Sequence, residues 1–173
     1  GNSRRYAQSL EKINKVVEPR PGEIMFGLNM IINKGKTVFI GDTSVHEYPS
    51  SEQLAEIAIS SARVVRLFGF EPKVAFLSHS TFGQPLTSRT KHIRDAVDIL
   101  KKRKVDFIFD GDMQPDVALN EEYSDLYPFS EIVGNANILI MPGQHSAAIS
   151  YKIMKTLGGA KVIGPLLIGL GAA

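Results

Sequence analysis

The stretch Val105-Asp106-Phe107-Ile108-Phe109-Asp110-Gly111-Asp112-Met113-Gln114-Pro115-Asp116 joins an apolar run directly to a polar one. Residues 105–109 have the apolar content of a buried strand. The seven residues that follow contain three carboxylates and an amide. In an open α/β sheet, ligands bind outside the carboxyl ends of the strands. Core packing does not account for a carboxylate cluster at such an edge, so the polar run is either a site or a solvated loop.

Segments with strand and helix patterns alternate on both sides of this stretch. Further strands are predicted at residues 24–32, 37–41, 73–78, 136–141 and 162–167, the last as a buried strand. Helices are predicted at residues 4–17, 50–68, around 93–104, 117–126 and 146–157. The turn at residues 33–36 makes the first two strands a hairpin. Ser50 and Gln53 fit a capping box at the start of the second helix.

Strands that alternate with helices of this length imply parallel βαβ crossovers. The predicted fold class is therefore α/β, a three-layer α/β/α arrangement with a mostly parallel sheet plus a hairpin. No internal repeat or linker divides the 173 residues, so a single lobe over residues 1–173 is expected. The end of the chain, residues 168–173, lacks a capped final helix, which indicates a fragment of a longer chain.

Composition excludes several classes of function. The formal net charge is only +2, so we expect neither a nucleic acid nor a membrane as partner. The chain has no cysteine, which rules out disulfides, thiolate metal sites and a cysteine nucleophile. No apolar run reaches the ~18 residues that a membrane helix needs, and no signal core follows the N-terminus. A cytoplasmic protein is the expectation.

Two polar segments are candidate sites, and each has a plainer interpretation. Residues 78–83 follow a strand and precede a helix, with Ser78, Ser80, Thr81 and Gly83 among them. Hydroxyls, a glycine and backbone amides in that position suit a phosphate or another anion. The alternative is a polar loop whose hydroxyls cap the following helix.

The acidic run is the second candidate. Asp110, Asp112, Gln114 and Asp116 can hold a divalent metal through oxygen ligands, orient a hydroxyl or amine, or supply a general base. Their spacing does not match an EF-hand, and Asp116 can instead cap the helix predicted at residue 117. We expect no metal site here. Neither segment contains an arginine, and the nearest one to the first segment is Arg89.

The four histidines lack the spacing of metal ligands. His79 and His145 lie near predicted strand ends, where either can line a cleft. His92 falls within a helical pattern and is predicted to lie on the surface.

Taken in order, these segments resemble the phosphate acetyl/butyryl transferase family. Residues 110–118 are similar to the family's Asp-Gly-Glu/Asp-x-Gln-x-Asp segment, and residues 74–81 to its strand ending in Ser-x-Ser-Thr. Further likeness lies at residues 40–45, 49–62, 135–139, 151–152 and 163–167. The stretches at residues 26–30, 34–39, 45–49 and 80–83 look like the transferase-like C-terminal region of bacterial NADP-dependent malic enzymes.

The resemblance implies the second lobe of a two-lobed, isocitrate/isopropylmalate dehydrogenase-like phosphotransacetylase fold, with acyl-CoA bound in the cleft between lobes. The implied ligand-binding residues are Ser78, Ser80, Thr81, Gly83, Arg89, Asp110, Asp112, Gln114 and Asp116. We expect no catalytic residue in this chain, because the family's Ser-Arg pair follows Leu170 and is absent here. In the malic enzymes, NADP and a divalent metal (Mg or Mn) belong to a catalytic half that this chain lacks.

Three functions follow from the resemblance. The first is a regulatory and assembly module of a malic enzyme that senses acetyl-CoA or a related acyl-CoA. The second is an active phosphate acetyltransferase lobe that converts acetyl-CoA and phosphate to acetyl phosphate and CoA. The third is a purely structural dimerisation module. All three are compatible with a homo-oligomer, a dimer or higher.

Overall fold

The computed structural model describes residues 23–42 and 44–169. The helix predicted at residues 4–17 lies outside them. The strands are β1 (Phe26–Asn33), β2 (Lys36–Gly41), β3 (Lys73–Leu77), β4 (Ile108–Met113), β5 (Ile138–Ile140) and β6 (Lys161–Ile168). The helices are α1 (Ser51–Leu67), α2 (Ser88–Arg103), α3 (Pro115–Leu119) and α4 (Gln144–Leu157), with a 3₁₀ helix at Glu121–Leu126.

The six strands form one sheet in the order β4-β3-β5-β2-β1-β6. The pairs β4/β3, β3/β5 and β5/β2 are parallel, whereas β1 pairs antiparallel with both β2 and β6. The predicted α/β class, with a mostly parallel sheet and an N-terminal hairpin, is confirmed. The likeness to isocitrate and isopropylmalate dehydrogenases stays a prediction.

Side-chain alternation along the central strands creates the three layers. In β3, Val74 and Phe76 are fully buried in the cluster that includes the apolar stripes of α1 and α2. The intervening Ala75 and Leu77 pack in a second cluster with residues of α3 and α4. Successive strand side chains point to opposite faces, so one apolar strand supplies both cores.

The predicted capping box at the start of α1 is confirmed. The backbone N–H of Gln53 donates to Ser50 Oγ (3.1 Å), and the Ser50 N–H donates to Gln53 Oε1 (2.8 Å). These bonds satisfy two backbone donors that a helix start otherwise leaves free. The helix then buries Leu54, Ile57 and Val65 against the sheet.

The strand predicted at residues 105–109 is wrong in its position. β4 begins at Ile108 and continues through Met113, so Asp110 and Asp112 belong to the strand and not to a loop after it. The cause is pairing with β3, which extends from Lys73 opposite Ile108 to Leu77 opposite Met113. Ladder hydrogen bonds with β3, which is buried from Val74 to Leu77, outweigh the low strand propensity of aspartate and glycine.

Two further predictions need correction. The helix predicted at residues 117–126 is split into α3 and the 3₁₀ helix, because Asn120 adopts extended backbone and its side chain accepts from the Glu122 N–H at 3.1 Å. The strand predicted as buried at residues 162–167 is β6 at the edge of the sheet. All eight of its residues are half-buried or exposed, because it has one neighbour, β1, among the described strands.

Candidate functional site

The topology opens a crevice at the carboxyl ends of β3 and β5. These strands are neighbours in the sheet, but the chain leaves β3 towards α2 on one face and leaves β5 towards α4 on the other. Loops that diverge to opposite faces leave a gap between them, and this is where ligands bind in open α/β sheets.

The crevice encloses about 590 Å³, a size typical of small-molecule sites. Of the residues expected to bind a ligand, it contains Ser78 and Arg89, and His79 lines it as the sequence suggested. Its walls combine apolar side chains with hydroxyls and histidines. They are Tyr48, Pro49, Leu77, Ser78, His79, Ser88, Arg89, His92, Ile93, Pro115, Met141, Pro142, Ser146 and Ser150.

Two helices begin at this crevice. Ser88 and Arg89 are the first two residues of α2, and Ser146 lies in the first turn of α4. A helix N-terminus carries partial positive charge and presents backbone N–H groups, so it attracts anions. Together with the Arg89 guanidinium, the two N-termini make the crevice suitable for a phosphate or carboxylate.

The loop after β3 is held from behind by a buried carboxylate. Asp112 and Ser80 are both fully buried. The Asp112 carboxylate accepts hydrogen bonds from Ser80 Oγ and from the Gly83 N–H, the latter at 3.0 Å. Its backbone carbonyl accepts from the Phe82 N–H at 2.7 Å. Asp112 and Ser80 therefore shape the loop from the interior and do not face the crevice.

The backbone conformation at residue 83 favours glycine. Its φ of +77° lies in the left-handed region, whereas the nearest atom to a Cβ built here, Arg94 Nη1 at 2.2 Å, is the end of a flexible side chain. The loop does not cap α2, contrary to the plainer interpretation. The cap is Thr87, whose Oγ1 accepts from the Thr90 N–H at 3.2 Å.

Thr81 and Gln114 tie the loop to the end of β4. The Gln114 N–H donates to Thr81 Oγ1 (3.2 Å), and Gln114 Nε2 donates to the His79 carbonyl (3.0 Å). The amide of Gln114 thus holds the backbone beside the crevice, whereas Thr81 and Gln114, both expected to bind a ligand, line a separate cavity.

The structure separates Asp110 and Asp116 from the crevice. Asp110 lines a different hollow with Phe109 and Ile132, and its Oδ1 accepts from the Gly111 N–H. Asp116 does not cap α3, because that helix begins one residue earlier and Gln114 occupies the cap position. Its carboxylate accepts from the Tyr123 hydroxyl at 3.3 Å in a third cavity.

His92 is a crevice residue that the sequence analysis placed on the surface. It is half-buried; its Nε2 donates to the Pro49 carbonyl at 2.8 Å, and its Nδ1 lies 3.1 Å from Ser51 Oγ. A signal was available, since His92 is three residues after Arg89 and residues at that spacing share a helix face.

A second buried carboxylate, Asp42, holds the loop that leads to Tyr48 and Pro49 on the other wall of the crevice. Asp42 follows β2 and accepts from the N–H groups of Val45 (2.9 Å) and His46 (2.7 Å), and also contacts the His46 ring. The His46 carbonyl in turn accepts from the Gln144 N–H at 2.9 Å, which joins this loop to α4. His145, expected near a cleft, is exposed and pairs with Glu47 instead.

Residues 23–42 and 44–169, the part of the chain that the structure describes, contain no group of three or more histidines and carboxylates arranged to hold a metal ion. None of the helices in this part of the chain is long and apolar enough to cross a membrane.

Comparison with known proteins gives a consistent result. The chain is 46% identical over 170 residues to the NADP-dependent malic enzyme of Rhizobium meliloti, covering 98% of this chain but 22% of that protein, at its C-terminal part. It is 37% identical over 142 residues to the phosphate acetyltransferase of Bacillus subtilis, covering 81% of this chain and 44% of that protein.

Solved structures agree with the sequence relatives. A phosphotransacetylase from Streptococcus pyogenes matches with a TM-score of 0.89 and 30% identity, over 95% of this chain and 51% of that one. The chain therefore spans about a fifth of the Rhizobium meliloti malic enzyme and about half of the two transferases from Bacillus subtilis and Streptococcus pyogenes. The family model described as phosphate acetyl/butaryl transferase matches residues 1–173, from the first residue to the last, and the chain belongs to that family.

Proposed function

We propose that this chain is the acyl-CoA-sensing and assembly domain of a malic enzyme, without transfer activity of its own. The observation that carries the proposal is the crevice at the ends of β3 and β5, where Arg89 and two helix N-termini converge. An acyl-CoA offers phosphates to such a site and an apolar arm to its walls.

In this proposal the pyrophosphate of the acyl-CoA binds beside Ser78 and Arg89. Ser80 is a poor candidate for direct contact because its hydroxyl is buried and donates to Asp112. Leu77, Ile93 and Met141 supply an apolar wall for the acyl-pantetheine arm. In this proposal acetyl-CoA is the effector, and its binding energy is coupled to the packing of the domain against the NADP- and metal-dependent half.

Arg89→Ala is expected to weaken acetyl-CoA binding by about tenfold, because a charge-assisted hydrogen bond to phosphate contributes about 1.5 kcal/mol or more. The measurement is calorimetric titration of the 173-residue chain with acetyl-CoA, and with plain CoA to isolate the acyl group. Lys91→Ala is the matched control, since it removes an exposed cation from the same helix outside the crevice. Equal affinities for the two variants would contradict the siting.

A phosphate acetyltransferase lobe is the second candidate. It is favoured by the 37% identity to the phosphate acetyltransferase of Bacillus subtilis. This candidate predicts that the intact parent protein converts acetyl-CoA and phosphate to acetyl phosphate and CoA, with a phosphate oxygen attacking the thioester carbonyl and the C–S bond breaking as the CoA thiol leaves. A rate no higher than that of heat-inactivated protein would eliminate it.

Assembly is proposed through the outer face of α4. Ile149, Ile153 and Leu157 are 57%, 53% and 84% exposed and recur every four residues, so they form one stripe on the helix. Ile163 of β6 is also 41% exposed. Contiguous exposed apolar surface of this kind marks interaction sites, and a second copy of the chain is the proposed occupant.

The double substitution Ile153→Asp and Leu157→Asp is expected to convert the assembly to monomer, because two carboxylates would be buried without partners. Sedimentation velocity over a tenfold or wider concentration range would measure this. Lys155→Asp is the control, as it places a carboxylate at an exposed position of the same helix that lies two residues from both Ile153 and Leu157 and so faces away from the stripe. An unchanged sedimentation coefficient for the double variant would exclude this face.

A further inference from the structure

Charge is strongly segregated along the chain. Residues 105–151 contain no lysine or arginine, although the whole chain has 20 of them. The same segment carries eight of the 18 carboxylates. They are Asp106, Asp110, Asp112, Asp116, Glu121, Glu122, Asp125 and Glu131. Because Asp112 is buried and Asp106 pairs with Arg66, the other six carboxylates determine the charge that this segment presents, and they favour a cationic partner.

Within this acidic segment lies a groove with an aromatic wall. Phe82 contacts Tyr127 and Phe129 with ring centroids 5.4 and 5.0 Å apart, and the rings of Tyr127 and Phe129 lie 6.2 Å apart. Phe129 is 70% exposed and Leu126 67% exposed. Three mutually packed rings beside an exposed leucine form a large apolar contact area that faces outward.

The polar side of the groove is built around Asp116. Its carboxylate accepts from the Tyr123 hydroxyl at 3.3 Å, and its charge raises the pKa of Tyr123. The groove encloses about 480 Å³, and Thr81, Gln84 and Gln114 also line it. Arg94 lies nearby, and its Nη1 donates to the Phe82 carbonyl at 3.4 Å. The Asp116 carboxylate instead accepts from the neutral phenol of Tyr123.

We propose that this groove is a docking site for an arginine side chain in a basic polypeptide segment. The methylene stem would pack on Leu126, the guanidinium would lie against the rings of Tyr127 and Phe129, and its N–H groups would donate to Asp116. Arginine combines these contacts because its planar cation stacks on aromatic rings and its fork matches a carboxylate. The site is separate from the crevice and does not depend on the function proposed for it.

A polypeptide is favoured over a free small cation by the size of the apolar surface. A small amine can pair with Asp116 but leaves Leu126 and Phe129 in water. Apolar residues beside the arginine can cover both, and the surrounding carboxylates attract further basic residues. The partner is therefore a segment that alternates arginine with apolar residues.

The test uses the 173-residue chain and fluorescein-labelled Gly-Leu-Arg-Leu-Arg-Leu-Gly, with binding measured by fluorescence anisotropy. A second peptide has citrulline in place of both arginines, which keeps the shape and removes the charge. We expect saturable binding of the first peptide and affinity at least about tenfold lower for the second. Free arginine amide represents a small cation without apolar neighbours, and we expect it to bind more weakly than the arginine peptide.

Two variants and a control locate the site. Asp116→Asn and Phe129→Ala are each expected to weaken arginine-peptide binding by about fivefold or more. Asp125→Asn removes an exposed carboxylate of the same segment that does not line the groove, and less than a twofold change is expected. Circular dichroism and the melting temperature establish that each variant is folded.

Four outcomes would overturn the proposal. They are no binding of the arginine peptide at millimolar concentration, equal binding of the citrulline peptide, arginine amide matching the arginine peptide, and equal effects of Asp116→Asn and Asp125→Asn. The last would show attraction to a diffuse acidic surface without a built groove.

Discussion

Asp112→Ala is expected to lower the free energy of unfolding by about 3 kcal/mol. The substitution leaves the Ser80 hydroxyl and the Gly83 N–H without their acceptor in the interior, and each unsatisfied buried donor costs about 1–3 kcal/mol. Release from the cost of burying a carboxylate offsets part of this loss. Urea unfolding at neutral pH, followed by far-ultraviolet circular dichroism, measures the difference.

Asp110→Ala is the matched control, two residues earlier on the same strand. Asp110 is half-buried, and its carboxylate accepts a hydrogen bond from the N–H of the adjacent Gly111. We expect a change within about 0.5 kcal/mol, as for substitutions away from buried networks. If both variants lost the same stability, the special role assigned to the buried carboxylate would be wrong.

The Asp112 variant should also alter the crevice. The loop that Asp112 holds includes Ser78 and His79 on the crevice wall. Acetyl-CoA affinity, measured on protein that remains folded in the absence of urea, is therefore expected to fall in Asp112→Ala and to stay unchanged in Asp110→Ala. This readout distinguishes a residue that positions the site from one that only contributes to stability.

Gly134→Ala is expected to cost a similar amount, about 3 kcal/mol. Gly134 has a φ of +74°, which costs an alanine about 1–2 kcal/mol. Its Cβ would also lie 2.5 Å from the Cα of Glu121 and 2.8 Å from its nitrogen. Those atoms are backbone at the start of the 3₁₀ helix, so relief requires that helix to move, and overpacking of this kind costs about 1–3 kcal/mol.

Gly69→Ala separates the cost of the backbone conformation from the cost of the collision with Glu121. Gly69 has a comparable φ of +86°, but nothing lies within 4 Å of a Cβ built there. We expect it to lose about 1 kcal/mol, so the difference of about 2 kcal/mol measures the collision with Glu121. Thermal unfolding by calorimetry is suitable. Equal losses at the two positions would show that the backbone conformation alone is responsible.

Local sequence signals were sufficient to predict most of the helices and strands. The capping box at Ser50 and Gln53 is a contact between residues three apart, and its geometry follows from the residue types alone. The hairpin of β1 and β2 depends on the short turn between them. The α/β alternation likewise predicted the parallel sheet, because parallel neighbours require crossovers.

Local sequence signals did not predict which of the candidate site residues lie in the same cavity. Asp110, Asp112 and Asp116 are close in sequence and chemically alike, yet they occupy a side hollow, the interior and an aromatic groove. Extension of β4 along β3 turns Asp112 into the protein, where the loop 32 residues earlier supplies its donors. No pattern within residues 105–116 contains that partner.

The linear order of residues determined the family, the alternation of elements and the helix that carries Arg89, because periodicity and capping are local properties. The tertiary structure alone decided which polar residues share a cavity. Strand order sends the chain after β3 and after β5 to opposite faces, and this brings Arg89, His92 and Ser146 to one crevice. Ser146 is distant in sequence from Arg89 and His92, and its proximity to them arises from strand pairing and packing between layers, which no local pattern encodes.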